Sequence, residues 1–224
     1  MKARILSIDT TAEFGSLALV ENGQLLEEIL LHSADGFAHV LYSHLGTLLS
    51  RHGWKIREVD CFAAASGPGS FTGVRVGLAA VKGLAAAWDR PLVAVSNLQA
   101  LAWFGTAPLR AVVIDARRGE IYGAVYNAAL KLVFGEVVTK FPAWLATLPE
   151  GDLELISYDF SPFLNALSGT RFEGLRLVQA PRAIAGAVGQ IAARRLALGH
   201  VQHPALVDAN YVRRSDAELF WKDI

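Results

Sequence analysis

Two periods of hydrophobic and polar positions alternate along this chain, and each switch between them marks a boundary. The run RILSID (Arg4–Asp9) is short, apolar and closed by a carboxylate, as a buried strand would be. TTAEFG turns the chain, and SLALV and QLLEEILL follow, separated by a turn that contains Asn22-Gly23. That dipeptide favours a tight hairpin because both residues tolerate positive φ. The pattern predicts three consecutive antiparallel strands. The period then lengthens: Leu41, Leu45, Leu48 and Leu49 recur at helical spacing within FAHVLYSHLGTLLSRHG, which stops at Gly53. VDCFAAAS returns to a strand, SGPGSFTG (66–73) turns, and residues 72–88 predict a helix. PLVAVS is a short strand, and NLQALAWFG opens a helix with Asn97 at a capping position.

The same plan then recurs. Residues 111–138 (AVVIDARRGEIYGAVYNAALKLVFGEVV) repeat the apolar strand ending in Ile-Asp, the short polar turn, the alternating strand, a second turn and a third strand. Ile8-Asp9 and Ile114-Asp115 lie 106 positions apart, close to half of the 224 residues, which points to an internal duplication. Helices near 141–148, 160–167 and 184–198, with strands at Leu153–Ser157 and near 175–178, complete the second copy. Two such copies make a duplicated α/β fold, the plan of the actin-like ATPase and sugar-kinase superfamily. The halves fall at 1–107 and 108–224. In that superfamily nucleotide sits between the halves, its phosphates clasped by the first hairpin turn of each.

Composition narrows the classes. The chain is 53% hydrophobic and 19% charged, enough apolar material for a sizeable core. Lys plus Arg and Asp plus Glu number 21 each, so the overall basic footprint of a protein that grips nucleic acid by itself is missing. The single cysteine, Cys61, rules out an internal disulfide and reads as a buried structural thiol in its apolar run. MKARILSID enters a strand too soon for a signal peptide, and the longest apolar stretch, 74–88, is broken by Arg75 and Lys82. A cytoplasmic protein without membrane association is expected.

SGPGSFTG stands where many proteins cradle a phosphate, between a strand and a helix. It meets none of the familiar templates. A P-loop requires Lys followed by Ser or Thr, the dinucleotide fingerprint fails where Thr72 replaces its last glycine, and the nucleophile elbow fails at Phe71. Asp9 with Thr10 and Thr11 matches the first hairpin of a kinase, which holds Mg²⁺ and phosphate; it equally matches a carboxylate capping its own turn. Its counterpart Asp115 is followed by Arg117 and Arg118, too bulky for backbone N–H groups to close around a phosphate. His39 and His44 are five residues apart, about 140° around a helix, and His32 and His52 lie off that face. No metal site is expected.

The helix over 72–88 carries Gly73, Gly77, Ala79, Ala80, Gly83, Ala85, Ala86 and Ala87, with Val74, Leu78 and Val81 supplying apolar bulk. A mid-helix glycine costs about 1 kcal/mol against alanine, so close approach of another backbone is the expected compensation. Arg75 and Lys82 on one face leave two readings open, a core helix or a core helix that also meets a partner.

SGPGSFTGVRVGLAAVKGLA closely resembles the signature of the TsaB family, also called YeaZ, and ILSIDTT, VVIDARRGEIYGAVY and ANYVRRSDAE (209–218) resemble its other landmarks. The resemblance spans the chain. It implies a duplicated actin-like fold with a reduced second half, and a non-catalytic paralogue of the tRNA threonylcarbamoyltransferase TsaD. It implies a scaffold in forming N6-threonylcarbamoyladenosine at position 37 of tRNAs that read codons beginning with A, bound to a TsaD homologue with the ATPase TsaE joining. A homodimer is implied in isolation, with tRNA met only through the complex. The interface implied on the first two long helices is Leu41, Leu45, Leu48, Val74, Arg75, Gly77, Leu78 and Val81. TsaD holds a metal through a His-x-x-x-His pair, a spacing these histidines miss. No catalytic residue and no cofactor is expected, ATP binding at most weakly or at a shared interface through Asp9, Thr10 and Thr11. Gly67, Pro68, Gly69, Ser70, Thr72 and Gly73 then form a structural turn, with Ser70 or Thr72 capping the helix. Arg213 and Arg214 offer a local contact to tRNA. The alternative is an active nucleotide-dependent enzyme of the superfamily or a glycoprotease-like hydrolase.

Overall fold

In the computed structural model, residues 3–213 are described. The hairpin signal at Asn22-Gly23 holds: both residues take positive φ, joining β2 (Phe14–Glu21) to β3 (Gln24–His32). β2 also pairs antiparallel with β1 (Arg4–Asp9), and β4 (Cys61–Ala65) and β5 (Leu92–Val95) extend the sheet in parallel, giving the order β3-β2-β1-β4-β5.

Side chains alternate across a strand, so this sheet has two distinct faces. Leu6, Ile8, Leu17, Leu19, Phe62 and Ala64 line one and bury against α1 (Leu41–Arg51) and α2 (Phe71–Ala87). The opposite parity carries Ser7, Ser16 and Glu28, and the last helix, α6 (Ala185–Ala197), packs there. Ser16 Oγ accepts from the N–H groups of Ile184 and Ala185 at 3.1 and 2.9 Å, and Glu28 accepts from Gly186 N–H at 2.8 Å. Ser7 Oγ donates to Ala185 O at 2.7 Å. Strand side chains thus satisfy the orphan donors that every helix start leaves open.

The second sheet repeats the first in topology. β6 (Leu109–Asp115), β7 (Ile121–Asn127) and β8 (Leu132–Thr139) form the antiparallel meander. β9 (Leu153–Ser157) and β10 (Arg176–Gln179) add in parallel, in the order β10-β9-β6-β7-β8. The duplicated actin-like plan is therefore present, with a reduced second copy. Its helices α4 (Phe141–Thr147) and α5 (Leu164–Leu167) have 7 and 4 residues, against 11 and 17 in α1 and α2. The expected helix over 160–167 contracts to its last turn. Trp144 on α4 is 1% exposed and its indole fills the space above Gly123, where a Cβ would stand 2.6 Å from the ring.

The division of the chain differs from an equal split at 107/108. One compact unit holds Met1–Ala100 with Arg182–Asn210; the other holds Leu101–Pro181 and takes up the chain again at Tyr211. α3 (Asn97–Ala102) spans the first boundary. Periodicity places an amphipathic helix at 184–198, but which sheet it covers depends on Ser7, Ser16 and Glu28, far away in sequence. Among the described residues no helix is long and apolar enough to cross a membrane.

Gly189 marks how closely α6 approaches its sheet: a Cβ there would lie 2.7 Å from Ser7 Oγ and 2.8 Å from Val20. Gly189→Val should therefore destabilise the protein by about 1–3 kcal/mol, read as a lower urea midpoint at unchanged m-value. An unchanged midpoint would show that α6 does not seat as described.

Candidate functional site

The first turn and the start of α2 form one buried constellation. Asp9, Thr10 and Thr11 are 1–2% exposed. Asp9 Oδ1 accepts from Thr11 N–H at 2.9 Å and from Thr11 Oγ1 at 2.6 Å, while Oδ2 is buried with no hydrogen-bond partner. Burial pushes the Asp9 carboxyl up to about 6, against the pull of the Thr11 hydrogen bonds, with the Glu28 charge adding to the rise. Burial likewise raises Glu28. These carboxylates share the polar side of the sheet with Ser7 and Ser16.

The glycines of the loop and helix explain themselves against this turn. A Cβ at Gly69 would stand 2.5 Å from Thr11 O, one at Gly73 would overlap Thr10 O, and one at Gly77 would stand 2.6 Å from Thr10 Oγ1. Thr10 Oγ1 donates to Gly73 O at 2.7 Å, and Ser70 N–H donates to Thr11 O at 2.7 Å. The helix backbone therefore rests directly on the turn. Of the two expected caps, Ser70 is the one used, accepting from Gly73 N–H at 3.2 Å; Thr72 lies inside the helix and is exposed. Gly67 takes φ +99° ahead of Pro68, and a Cβ on it would meet Asn210 O at 3.1 Å.

Two asparagines complete the constellation. Asn97 was expected to cap its helix; instead its Oδ1 accepts from Gly67 N–H at 2.9 Å and its Nδ2 donates to Thr11 Oγ1. Asn210 N–H donates to Ser66 O at 2.8 Å, lashing the C-terminal segment to the same loop. Sequence reading passes over Asn210, because nothing local to it signals a partner 144 positions away. Beside the turn, Thr10, Glu13, His32, Asp35, Ser70 and Thr72 line a cleft of about 470 Å³. Two of those side chains are carboxylates, which oppose a phosphate at the α2 start.

The expected interface residues fall on the wrong side of their helices. Leu41, Leu45, Leu48, Val74, Leu78 and Val81 are 0–6% exposed and belong to the core beneath the sheet; Gly77 is buried against Thr10. Only Arg75 is exposed, its guanidinium 3.5 Å from the centroid of the Phe71 ring. The leucine spacing that identifies the helix is the spacing of its core face. The outward face instead presents Tyr42, Gly46 and Thr47 on α1 and Arg75, Ala79, Gly83 and Ala86 on α2. Gly46 and Gly83 have nothing within 4 Å of a Cβ position. Lys82, whose charge left both a solvent-facing and a partner-facing reading open, donates to Val207 O at 2.8 Å.

Other candidates resolve simply. Cys61 is fully buried and its thiol is pushed up to about 12 by burial, with Asp60 adding to the rise. His39 precedes α1 rather than lying on it, and His52 sits 2.8 Å from Glu27. Among the described residues no three His, Cys, Asp or Glu side chains group as a metal site. In the second unit Arg117, Arg118 and Gly119 all take positive φ, and Asp115 Oδ1 accepts from Arg117 N–H at 2.8 Å. Arg213, expected to reach nucleic acid, donates to Ala116 O at 2.8 Å and pairs with Glu120. Arg214 and the rest of the 209–218 landmark beyond Arg213 lie outside the described residues.

Comparison with known proteins agrees with the motifs. The family model of TsaD, the tRNA N6-adenosine threonylcarbamoyltransferase, matches residues 32–217. The tRNA threonylcarbamoyladenosine biosynthesis protein TsaB of Bacillus subtilis is 31% identical over 153 residues, covering 66% of this chain and 67% of that protein. TsaB of Escherichia coli is 35% identical over 128 residues, 55% of each, so that match spans only about half the relative's length. The structure of YeaZ from Pseudomonas aeruginosa superposes with a TM-score of 0.76 at 27% identity, covering 93% of this chain and 99% of that one. On the signature loop, the duplicated topology and these matches together, the chain belongs to the TsaB (YeaZ) family, within the wider group that the TsaD model describes.

Proposed function

We propose that this chain is a non-catalytic scaffold subunit in the N6-threonylcarbamoylation of adenosine 37 of tRNA. It acts by binding a TsaD-type transferase, with a TsaE-type ATPase joining the pair. The names of its relatives support a role in that modification. The observation that carries the scaffold reading is the packing on the first turn: the loop at Gly69 and the α2 backbone at Gly73 and Gly77 rest against Thr10 and Thr11, the residues that a kinase-like hairpin would turn toward phosphate. The cleft left beside it is lined by Glu13 and Asp35, which favours no bound nucleotide. Any homodimer in isolation would use the same outward face.

The docking face follows from the glycines that the monomer does not use. Gly46 and Gly83 each carry a helix penalty of about 1 kcal/mol and have no neighbour that requires the missing Cβ. A partner backbone seated on α1 and α2 supplies that requirement. Tyr42, Arg75 and Ala79 are exposed beside them and take the place of the buried leucines as the contact residues.

Reconstitution of the modification from purified transferase, ATPase and tRNA should require this chain. Gly83→Trp should abolish both the pull-down of the transferase and product formation. Gly83→Ala should raise the stability of the isolated chain by about 0.5–1 kcal/mol while weakening the pairing. Full product without the chain would overturn the scaffold reading; undiminished binding by folded Gly83→Trp would overturn the face.

Titration of the chain with ATP and Mg²⁺ in a calorimeter should give no saturable heat. Micromolar binding that disappears in Asp9→Ala would establish the nucleotide enzyme instead.

Asp9 also sets a pH dependence of known sign. The folded protein keeps the Asp9 proton up to about pH 6, whereas an unfolded chain loses it near pH 4. The folded state therefore binds more protons across that window, and stability falls as pH rises from about 4 to 6, by at most about 3 kcal/mol from this group. Asp9→Asn should flatten that decline and gain stability above pH 6, measured by urea unfolding from pH 4 to 8. An unaltered slope would place the Asp9 carboxyl in a solvated setting.

A further inference from the structure

α2 ends against a cleft that the monomer leaves open. Asp89 takes φ +48° just past the helix, and Arg90 N–H donates back to Ala85 O at 2.9 Å. The chain reverses there into β5, and the segment after α6 returns beside it. Leu92 and Gln202 exchange backbone hydrogen bonds at 3.0 and 2.9 Å. A short 3₁₀ turn, Pro204–Leu206, follows, and Lys82 Nζ donates to Val207 O at 2.8 Å just beyond it. Between these pieces lies a cleft of about 730 Å³, all of it within the first compact unit.

Gly83, Ala86, Pro91 and Ala205 give the cleft small apolar walls, whereas Lys82, Arg90 and His203 bring hydrogen-bond donors. His203 Nδ1 accepts from Ala205 N–H at 3.2 Å, so Nε2 carries the ring proton as a donor. Arg90 is underused. Its one hydrogen bond to a described residue runs from Nη2 to Arg57 O at 3.4 Å, and Nε is buried with none. An unmet buried donor costs free energy until a partner relieves it. A guanidinium fork matches a carboxylate, which takes two N–H groups at once. Lys82 and Arg90 outnumber Asp89, the one carboxylate among the lining residues.

Two further features select a protein segment as the occupant. Trp88 and Leu206, 41% and 79% exposed, adjoin lining residues in the chain, so large apolar groups stand beside the donors. Apolar surface joined to a few polar groups suits a protein surface better than a bare ion. Gly83 and Ala86 also belong to the outward face of α2, where Arg75, Ala79, Gly83 and Ala86 succeed one another toward the helix end. A partner seated on that face continues into the cleft.

Building on the docking face of α1 and α2, we propose that the cleft receives an acidic segment of the protein docked there. One carboxylate of that segment meets Arg90 and His203, and its apolar neighbours cover Trp88 and Leu206. The cleft thereby sets the charge that a partner must carry at the end of α2.

Affinity of the purified transferase for the full chain tests this. Ala205 is exposed on the cleft. Ala205→Glu should weaken binding at least about tenfold, while Ala205→Lys should leave it equal or tighter, both with an unchanged urea midpoint. Arg90→Lys, which keeps the charge and loses the fork, should fall between the unaltered chain and Arg90→Ala. Raising the salt concentration should narrow the gap between the two Ala205 variants. Equal affinity of Ala205→Glu and Ala205→Lys overturns the proposal, however the Arg90 variants fold. Gly46→Trp lies outside the cleft and reports on the face alone. If it abolishes binding while the Ala205 variants bind alike, the face stands and the cleft assignment falls; undiminished binding by Gly46→Trp removes both. Self-association of the free chain that falls in Ala205→Glu, with transferase affinity unmoved, assigns the cleft to a second copy and overturns the proposal. Saturable binding of inorganic phosphate that is lost in Arg90→Ala assigns it to a phosphate ligand and does the same.

Discussion

The backbone of α2 lies directly on the backbone of the first turn, and only the missing side chains at Gly69, Gly73 and Gly77 allow it. This contact fixes much else in the first unit. Thr10 and Thr11 are buried by it, and Ser70 can cap the helix and donate its N–H to Thr11 O from one position. Asn97 reaches both the loop and the turn because the two are held together. A single Cβ at Gly73 would overlap Thr10 O and force the helix away from this network. Gly69 and Gly73, which in sequence look like part of a ligand cradle, serve packing within the chain.

The same sheet shows how one β-layer serves two different neighbours. Its apolar parity buries α1 and α2 by the hydrophobic effect alone, an interaction without direction. Its polar parity meets the start of α6, where N–H groups need acceptors, and Ser16 and Glu28 provide them at 2.8–3.1 Å. The directional bonds select α6 for this face. Gathering Ser7, Asp9, Ser16 and Glu28 there also places two carboxylates in a desolvated setting, and burial raises both. The second sheet copies the strand order with shorter helices, and Arg213 and Glu120 close its first turn from the side.

Burial also decides which residues are left to meet another molecule. A helix on a sheet spends its regular apolar stripe on its own core, so Leu41, Leu45, Leu48, Val74, Leu78 and Val81 are unavailable to a partner. What remains outward on α1 and α2 is small or polar: Gly46, Thr47, Ala79, Gly83 and Ala86, flanked by Tyr42 and Arg75. A face of this kind suits close approach of another helix pair better than a ligand.

The strand and helix periods, the Asn22-Gly23 hairpin, the duplication anchored by Ile8-Asp9 and Ile114-Asp115, and the family signature in SGPGSFTG were all legible from residue order. Each is a local pattern or a repeat of one, and local backbone preference with hydrophobic period is enough to produce it. Tertiary structure alone decided the rest. Whether the outward or inward face of α1 and α2 was free depended on where the sheet lay. α6 joined the first unit through partners about 160–180 positions away. Asn97 and Asn210 found their roles in a loop distant in sequence, and Arg213 turned from a surface cation into a brace. Spacing along a chain records the period of an element. Only packing assigns each face its neighbour, because burial and hydrogen-bond geometry are properties of what surrounds a residue and not of the residue itself.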